Sequence, residues 1–180
     1  FVDRTRAILR PAAWDGPRDA LAALADQYRR DRTEGQAVNV VLGVEKDGLT
    51  TLLQTWFSDF GVPIVALRGY ASQTYVDDVA GMIERDGRPA VVLYGGDFGP
   101  SGAVISRDLA ARSGANVRRI ALTPDQVERY QLPPQMGKAT DSRAAAFTAR
   151  HGQLVQVELD ALPPDVLRSL YAAELDALMD

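Results

Sequence analysis

The feature that most constrains the fold of this chain is a repeat of short apolar runs rich in β-branched residues, each followed by a segment with helical spacing. The first run, AVNVVLGV, is apolar almost throughout, as expected for a strand covered on both faces. Repeated strand–helix units predict an α/β fold, a mainly parallel, Rossmann-like sheet of about four to five strands flanked by helices on both faces. Strands are predicted at residues 37–44, 63–67, 89–94, 117–122 and 153–157.

The segments between these runs carry helix signals. Thr123 to Gln126 (TPDQ) places a capping Thr, a Pro at the first helical position and a Gln three residues after the cap. Residues 132–140 contain two prolines and a glycine, which predict a loop. Helices are predicted at residues 17–32, 50–60, 75–85, 103–112, 124–130, 141–150 and 164–179.

Composition limits the function classes. The absence of cysteine excludes a disulfide framework, a thiolate zinc site and a cysteine nucleophile, so any metal is expected on oxygen ligands. A net charge of −4 argues against a protein that coats DNA through global positive charge, so nucleic-acid contacts must be local. Arginines cluster in places, including Arg118 and Arg119, and the simplest interpretation of each cluster is solvated surface. No apolar run is long enough to span a membrane, so we expect no membrane partner and a cytoplasmic location.

The chain begins at Phe1 rather than Met, which indicates a missing upstream region. We therefore expect residues 1–35 to be an N-terminal helical segment at the end of that region. Residues 36–180 are expected to form the main domain.

Acidic residues follow three of the predicted strands. Glu45 comes after the first strand, Asp97 after the third, and Glu158 and Asp160 after the last. Singly, Glu45 could cap a helix and Asp97 could organise a turn. Because the carboxyl ends of parallel strands meet at one edge, where ligands bind, the coincidence favours a shared site. Mg²⁺ prefers a few carboxylate oxygens together with water and substrate phosphate.

Two other interpretations of the motifs are weaker. The glycine-rich residues 95–102 could cradle a nucleotide phosphate, but they lack the ending of the Walker loop and the spacing of the dinucleotide fingerprint. His151, the only histidine, lies at a predicted helix end, where capping is the expected role and catalysis is not.

The motifs VEKDGL, with Glu45, and GGDFGPSG, with Asp97, resemble the Toprim domain of DnaG-type primases, topoisomerases, OLD-family nucleases and meiotic double-strand-break proteins. The second motif is similar to the Asp-x-Asp-Pro-x-Gly form of topoisomerase VI A subunits and of phage or mobile-element Toprim proteins. The resemblance covers about residues 38–160. It implies a Toprim-like fold, Glu45 as metal ligand or general acid/base, Asp97 as principal ligand of Mg²⁺ or Mn²⁺, and Glu158 and Asp160 as further acidic candidates.

By this resemblance the chain would perform Mg²⁺-dependent phosphoryl transfer on nucleic acid, through nicking, cleavage or topoisomerase-like strand breakage. DNA is the expected partner, with RNA as the alternative, and an upstream domain or partner subunit would complete the protein. Contacts to phosphate are predicted by position at Lys46, Arg68, Ser72, Ser101, Lys138 and Arg143.

The motif departs from the family at Gly99, which stands where the second aspartate of the pair is expected. Either a ligand has been lost, or the chain carries a substitution, or Glu158 and Asp160 complete the site. The alternative function is therefore a weakened Toprim module that binds nucleic acid or a partner without cleaving. A third hypothesis, a receiver-like or nucleotide-binding domain, is favoured only if the acidic residues prove scattered.

Overall fold

The computed structural model describes residues 13–28, 30–67, 73–136, 147–149, 152 and 155–179. The chain divides into two compact units, residues 1–31 and 32–180. The first unit contains helix α1 (Pro17–Gln27), which starts on a proline. The expected extent of 17–32 is wrong at its end, because Tyr28 already has an extended ψ of 124°. Leu21 and Leu24 of α1 are exposed, so no buried apolar face prolongs the helix.

The second unit is built on a parallel sheet of four strands in the order β2-β1-β3-β4. This confirms the α/β, Rossmann-like expectation. The chain places β2 on one side of β1 and then β3 and β4 on the other, so the strand order reverses between β1 and β3. The strands are β1 (Asn39–Val44), β2 (Ile64–Ala66), β3 (Ala90–Gly95) and β4 (Asn116–Ala121).

Five helices of the second unit have described bounds. The first, α2 (Asp47–Phe57), is followed directly by a 3-10 turn at Ser58–Phe60. The predicted capping box is confirmed at α5 (Pro124–Arg129), where the side chain of each of Thr123 and Gln126 accepts a hydrogen bond from the backbone N–H of the other. No helix in the part of the chain that the structure describes is both long and apolar enough to cross a membrane. The helices are α2 (Asp47–Phe57), α3 (Gln73–Asp86), α4 (Pro100–Ser113), α5 (Pro124–Arg129) and α6 (Pro164–Leu178).

Both faces of β1 are buried, which explains why this strand is apolar except at Asn39. Val40, Leu42 and Val44 belong to a core that includes buried side chains of α2 and α6. Val41, which points to the opposite face, belongs to a second core with buried side chains of α3 and α4. Tyr171 of α6 is fully buried and donates a hydrogen bond to the Gly43 carbonyl at 2.7 Å.

The last predicted strand does not join the parallel sheet. Strand β6 (Val155–Gln156) pairs antiparallel with β5 (Gln135–Met136), and an isolated antiparallel bridge then joins Phe98 to Val157. The expectation of a continuous loop over 132–140 is therefore wrong at residues 135–136, because their backbone forms a ladder with β6. The predicted helix 141–150 lies largely outside the described residues.

Candidate functional site

Glu45 and Asp97 follow neighbouring strands at the point where the strand order reverses. In an open α/β sheet, the loops after the two strands diverge there and open a ligand-binding crevice. Glu45 follows β1 directly, and its N–H donates to the Gly95 carbonyl of β3 at 3.0 Å. Asp97 follows β3 after one intervening glycine. Two of the four acidic residues that the sequence singles out, Glu45 and Asp97, are thus brought together.

The Glu45 carboxylate is buried and held by donors from β3 and the loop that follows it. Glu45 is only 8% exposed to solvent. Oε2 accepts a hydrogen bond from the Asp97 N–H at 2.9 Å and a longer one from the Tyr94 hydroxyl at 3.4 Å. Burial, with the negative charge of Glu45, raises the pKa of Tyr94, so Tyr94 stays a protonated donor. A buried carboxylate needs such partners to offset its desolvation.

The Asp97 carboxylate is half-buried. Its Oδ1 accepts a hydrogen bond from the Leu159 N–H at 2.8 Å. Burial raises the pKa of Asp97, while the Leu159 hydrogen bond and the positive charge of Lys46 oppose the rise. Ionising this carboxylate therefore costs free energy, and a nearby cation would lower that cost.

Glu158 reaches this region through the antiparallel bridge. Phe98 and Val157 exchange two backbone hydrogen bonds, each of 2.9 Å. Their neighbours, Asp97 and Glu158, therefore lie opposite each other on the same face of the bridge. Our expectation that Glu158 ends a strand of the parallel sheet is wrong, because its segment enters the site antiparallel to residues 97–98.

Lys46 links the acidic residues that follow the bridge. Its Nζ lies 3.2 Å from Glu158 Oε2 and 3.0 Å from Asp160 Oδ2. The last strand does not continue through the two acids, because Leu159–Ala161 is a 3-10 turn, yet both carboxylates reach the same ammonium. Partial burial lowers the pKa of Lys46, but the hydrogen bonds to Asp160 and Glu158 outweigh it and raise that pKa overall, so the ammonium stays charged.

Gly99 has an extended backbone, with φ 171° and ψ 178°, and is the N-cap of α4. A Cβ added there would lie 3.0 Å from Cγ and 3.2 Å from Nε2 of Gln156. Gln156 lies opposite Gly99 beside the bridge, as Glu158 lies opposite Asp97. The side chain of Gln156 thus packs against the position from which a second aspartate would project.

The carboxylates at this edge do not form a closed metal cage, and they could hold a divalent cation only in an open site. Among the described residues, no group of three or more His, Asp or Glu side chains is arranged to hold a metal ion. Mg²⁺ is usually bound through one or two carboxylates, with water and substrate phosphate completing its octahedron. Asp97 and Glu45 supply that number of carboxylates at neighbouring strand ends.

Most of the predicted phosphate contacts lie outside the described residues. Lys46 is the one whose side chain the structure describes, and it lies among the acids. Ser101 is part of α4, but its side chain is outside the described atoms. Arg68, Ser72, Lys138, Arg143 and also His151 lie outside the described residues.

Arg119 is a residue of the site that the sequence did not single out. The sequence indicates only that Arg119 belongs to a solvated arginine cluster. In the structure its guanidinium lies over the Tyr94 ring, with Cζ 5.6 Å from the ring centroid, and beside the loop that carries Asp97. Its neighbour Arg118 is exposed and pairs with Glu174 at 3.1 Å. The signal available was position: Arg119 lies near the carboxyl end of β4, next to β3.

Two surface cavities lie away from the acidic residues. One, of about 450 Å³, is lined by the ends of α3 and α4 and by Arg88 and Arg112, whose guanidiniums pair with Asp86 and Asp77. The other, of about 510 Å³, lies beside β2. Neither is lined by Glu45 or Asp97.

No protein-family model matches the chain, and the search of curated proteins finds no match either.

Proposed function

We propose that this edge of the sheet binds Mg²⁺ or Mn²⁺ and a phosphodiester of nucleic acid, DNA or RNA, and catalyses phosphoryl transfer on it. Nicking, cleavage and topoisomerase-like strand breakage are the outcomes of this chemistry. The observation that supports the proposal is the placement of Glu45 and Asp97 on neighbouring strands where the strand order reverses. The motifs around them resemble the Toprim domain, and we place the activity in the cytoplasm.

In this proposal Asp97 is the principal metal ligand, since burial raises the free energy of its ionised carboxylate and a divalent cation lowers it. Glu45, oriented by the Asp97 N–H and the Tyr94 hydroxyl, is a second ligand or the general acid/base. The metal, when bound by these residues, would offset the phosphate charge and activate the attacking oxygen. Lys46 stays protonated, and its ammonium contacts the phosphate. The other proposed phosphate contacts are Arg68, Ser72, Ser101, Lys138 and Arg143.

The test is metal titration of the purified chain followed by a plasmid-nicking assay. We expect saturable Mg²⁺ binding and metal-dependent nicking that disappears with a chelator. Absence of saturable binding in the wild-type chain would sink the proposal.

Replacing Gly99 with aspartate is expected to tighten Mg²⁺ binding about tenfold, because it adds an anionic oxygen two residues from Asp97. The extended backbone accepts the change, and the Gln156 side chain has to shift by a few tenths of an ångström. Gly99→Asn is the matched control, since both residues can cap α4 and only aspartate adds charge. Calorimetry that shows equal Mg²⁺ affinity for Gly99→Asp and Gly99→Asn would mean that residue 99 does not face the ion.

A second candidate function is binding of nucleic acid or a partner without cleavage, and Gly99 packed against Gln156 favours it. This candidate shares the metal site and differs in turnover. It predicts Mg²⁺ binding and nucleic-acid binding by the wild-type chain with no nicking. Nicking by wild type contradicts it, while nicking only by Gly99→Asp supports it.

Neutralising the partners of Lys46 is expected to strengthen nucleic-acid binding. In the double variant Glu158→Gln with Asp160→Asn, Lys46 loses both ion pairs and two repelling charges, so affinity should rise about three- to tenfold. The slope of log affinity against log salt should steepen by about one. The charge-matched control, Glu174→Gln with Asp108→Asn, alters exposed acids paired with other arginines. Fluorescence anisotropy that finds the same gain in both double variants would assign the effect to net charge alone.

A further inference from the structure

Arg119 makes hydrogen bonds that a solvated surface arginine would not make. Its Nε donates to the Leu122 carbonyl at 2.9 Å, and Nη2 donates to the carbonyls of Gly96 and Asp97. The guanidinium therefore ties the end of β4 to the loop after β3. Two of these bonds go to the loop and one to Leu122, and because the donors of the planar guanidinium have fixed directions, they orient the loop more tightly than the rotatable donors of an ammonium could.

One peptide group connects Arg119 to Glu45. The Gly96 carbonyl accepts from Arg119 Nη2 at 2.9 Å. The N–H of the same peptide group, that of Asp97, donates to Glu45 Oε2 at 2.9 Å. The cation and the carboxylate thus lie at the two ends of one peptide dipole, and each hydrogen bond polarises the peptide in the sense that strengthens the other.

The sheet by itself holds only the first part of this loop. Gly96 exchanges backbone hydrogen bonds with β4 and its end, through the Ala121 carbonyl and the Leu122 N–H, each 2.8 Å long. Arg119 adds a bond to the Asp97 carbonyl, one residue nearer the candidate site. Burial lowers the pKa of Arg119, and the charges of Glu45 and Asp97 oppose this without reversing it, so the site's own acids offset part of the cost of burying the arginine.

We propose that Arg119 is a positioning residue that fixes the Gly96–Asp97 peptide and thereby holds the Glu45 and Asp97 carboxylates in the geometry that binds metal. Where it concerns metal affinity, this inference rests on the proposed function. The part of the inference that Arg119 fixes the position of the Asp97 N–H rests on the observed hydrogen bonds alone. Loss of a positioning residue of this kind typically lowers metal affinity about 10- to 100-fold.

The test compares Arg119→Met with Arg118→Met. Methionine keeps most of the apolar stem and removes every donor. Arg118 is the matched control, since it is the neighbouring arginine on β4 and its exposed side chain pairs with Glu174. In Arg119→Met we expect hydrogen-exchange protection of the Asp97 amide to fall about tenfold or more and Mn²⁺ affinity to fall by a similar factor. Arg118→Met should change neither.

Each measurement is made on the full chain, the exchange without metal and the affinity by calorimetry with Mn²⁺ alone. Unchanged protection of the Asp97 amide in a folded Arg119→Met protein would overturn the proposal, and so would an equal loss in Arg118→Met. If Arg119→Met does not fold, Arg119→Lys is the deciding variant. Its ammonium should keep only part of the hydrogen-exchange protection of the Asp97 amide. Protection and Mn²⁺ affinity equal to those of the wild type would overturn the proposal. If the wild-type chain binds no Mn²⁺, the proposed function fails, while amide protection still decides the role of Arg119.

Discussion

Replacing Asp97 with asparagine is expected to weaken Mg²⁺ binding about 100-fold or more while the domain stays folded. Asparagine has nearly the same shape, and its Oδ1 can still accept the hydrogen bond from the Leu159 N–H. What is lost is the anionic oxygen that faces the proposed cation. Metal-dependent nicking, where present, should fall with the affinity.

The same variant should be more stable than the wild type at neutral pH without metal. Burial raises the pKa of Asp97 in the folded state, so its ionisation costs free energy that the unfolded chain does not incur. That cost is fully present above the folded pKa and disappears below the unfolded pKa, about 3.9. Because the carboxylate is only half-buried, solvent screening limits the gain in unfolding free energy to roughly 1 kcal/mol or less.

Urea denaturation without metal, at pH 7 and at successively lower pH, measures this gain, and calorimetry with Mg²⁺ measures the affinity. The stability difference should shrink as the pH falls through the folded pKa. Asp108→Asn, an exposed aspartate on α4, is the control and should change neither quantity. Unaltered Mg²⁺ affinity in Asp97→Asn would remove Asp97 from the metal site.

Replacing Gly96 with alanine is expected to destabilise the domain by about 3 kcal/mol or more. A Cβ at residue 96 would lie within 2.6 Å of Cζ and 2.8 Å of Cε1 in the Tyr94 ring, and still nearer the hydroxyl. Tyr94 is fully buried, and its ring contacts Arg119 while its hydroxyl donates to Glu45. The ring therefore cannot move away without disturbing the site.

A double-mutant cycle separates this clash from a general effect of alanine. Gly96→Ala combined with Tyr94→Leu should be less destabilised than the sum of the two single changes, because leucine removes the ring atoms that the new methyl meets. Gly48→Ala is the matched control: it lies in α2, a Cβ there meets nothing within 4 Å, and alanine should raise stability by up to about 1 kcal/mol. Additive values in the cycle would contradict the clash.

The sequence predicted the four strands of the parallel sheet, because burial on both faces of a strand requires a nearly continuous run of apolar residues. The two central strands, β1 and β3, are buried on both faces and are therefore apolar at successive positions, as Val40 and Val41 are. Glu45 and Asp97 could be predicted for the same reason, since an acid that directly follows such a strand stands out. Which strand ends are neighbours depends on the strand order β2-β1-β3-β4, which the structure shows and the sequence did not predict.

The rest of the site depends on contacts between residues far apart in the chain. Glu158 lies opposite Asp97 because of the antiparallel bridge between Phe98 and Val157, and nothing local in residues 153–160 specifies that direction. Arg119 gave no sequence signal of burial, because its acceptors are backbone carbonyls, which every residue possesses. Side-chain spacing therefore predicts the acids of this site and not the network that orients them.

The central claim is that Glu45 and Asp97 share a divalent cation, and paramagnetic broadening by Mn²⁺ tests it most directly. Substoichiometric Mn²⁺ added to the ¹⁵N-labelled chain should broaden the amide signals of Glu45, Asp97 and Leu159 first. Excess Mg²⁺ should restore these signals, and Asp97→Asn should abolish the broadening. Broadening centred on other residues, or none that Mg²⁺ reverses, would contradict the claim.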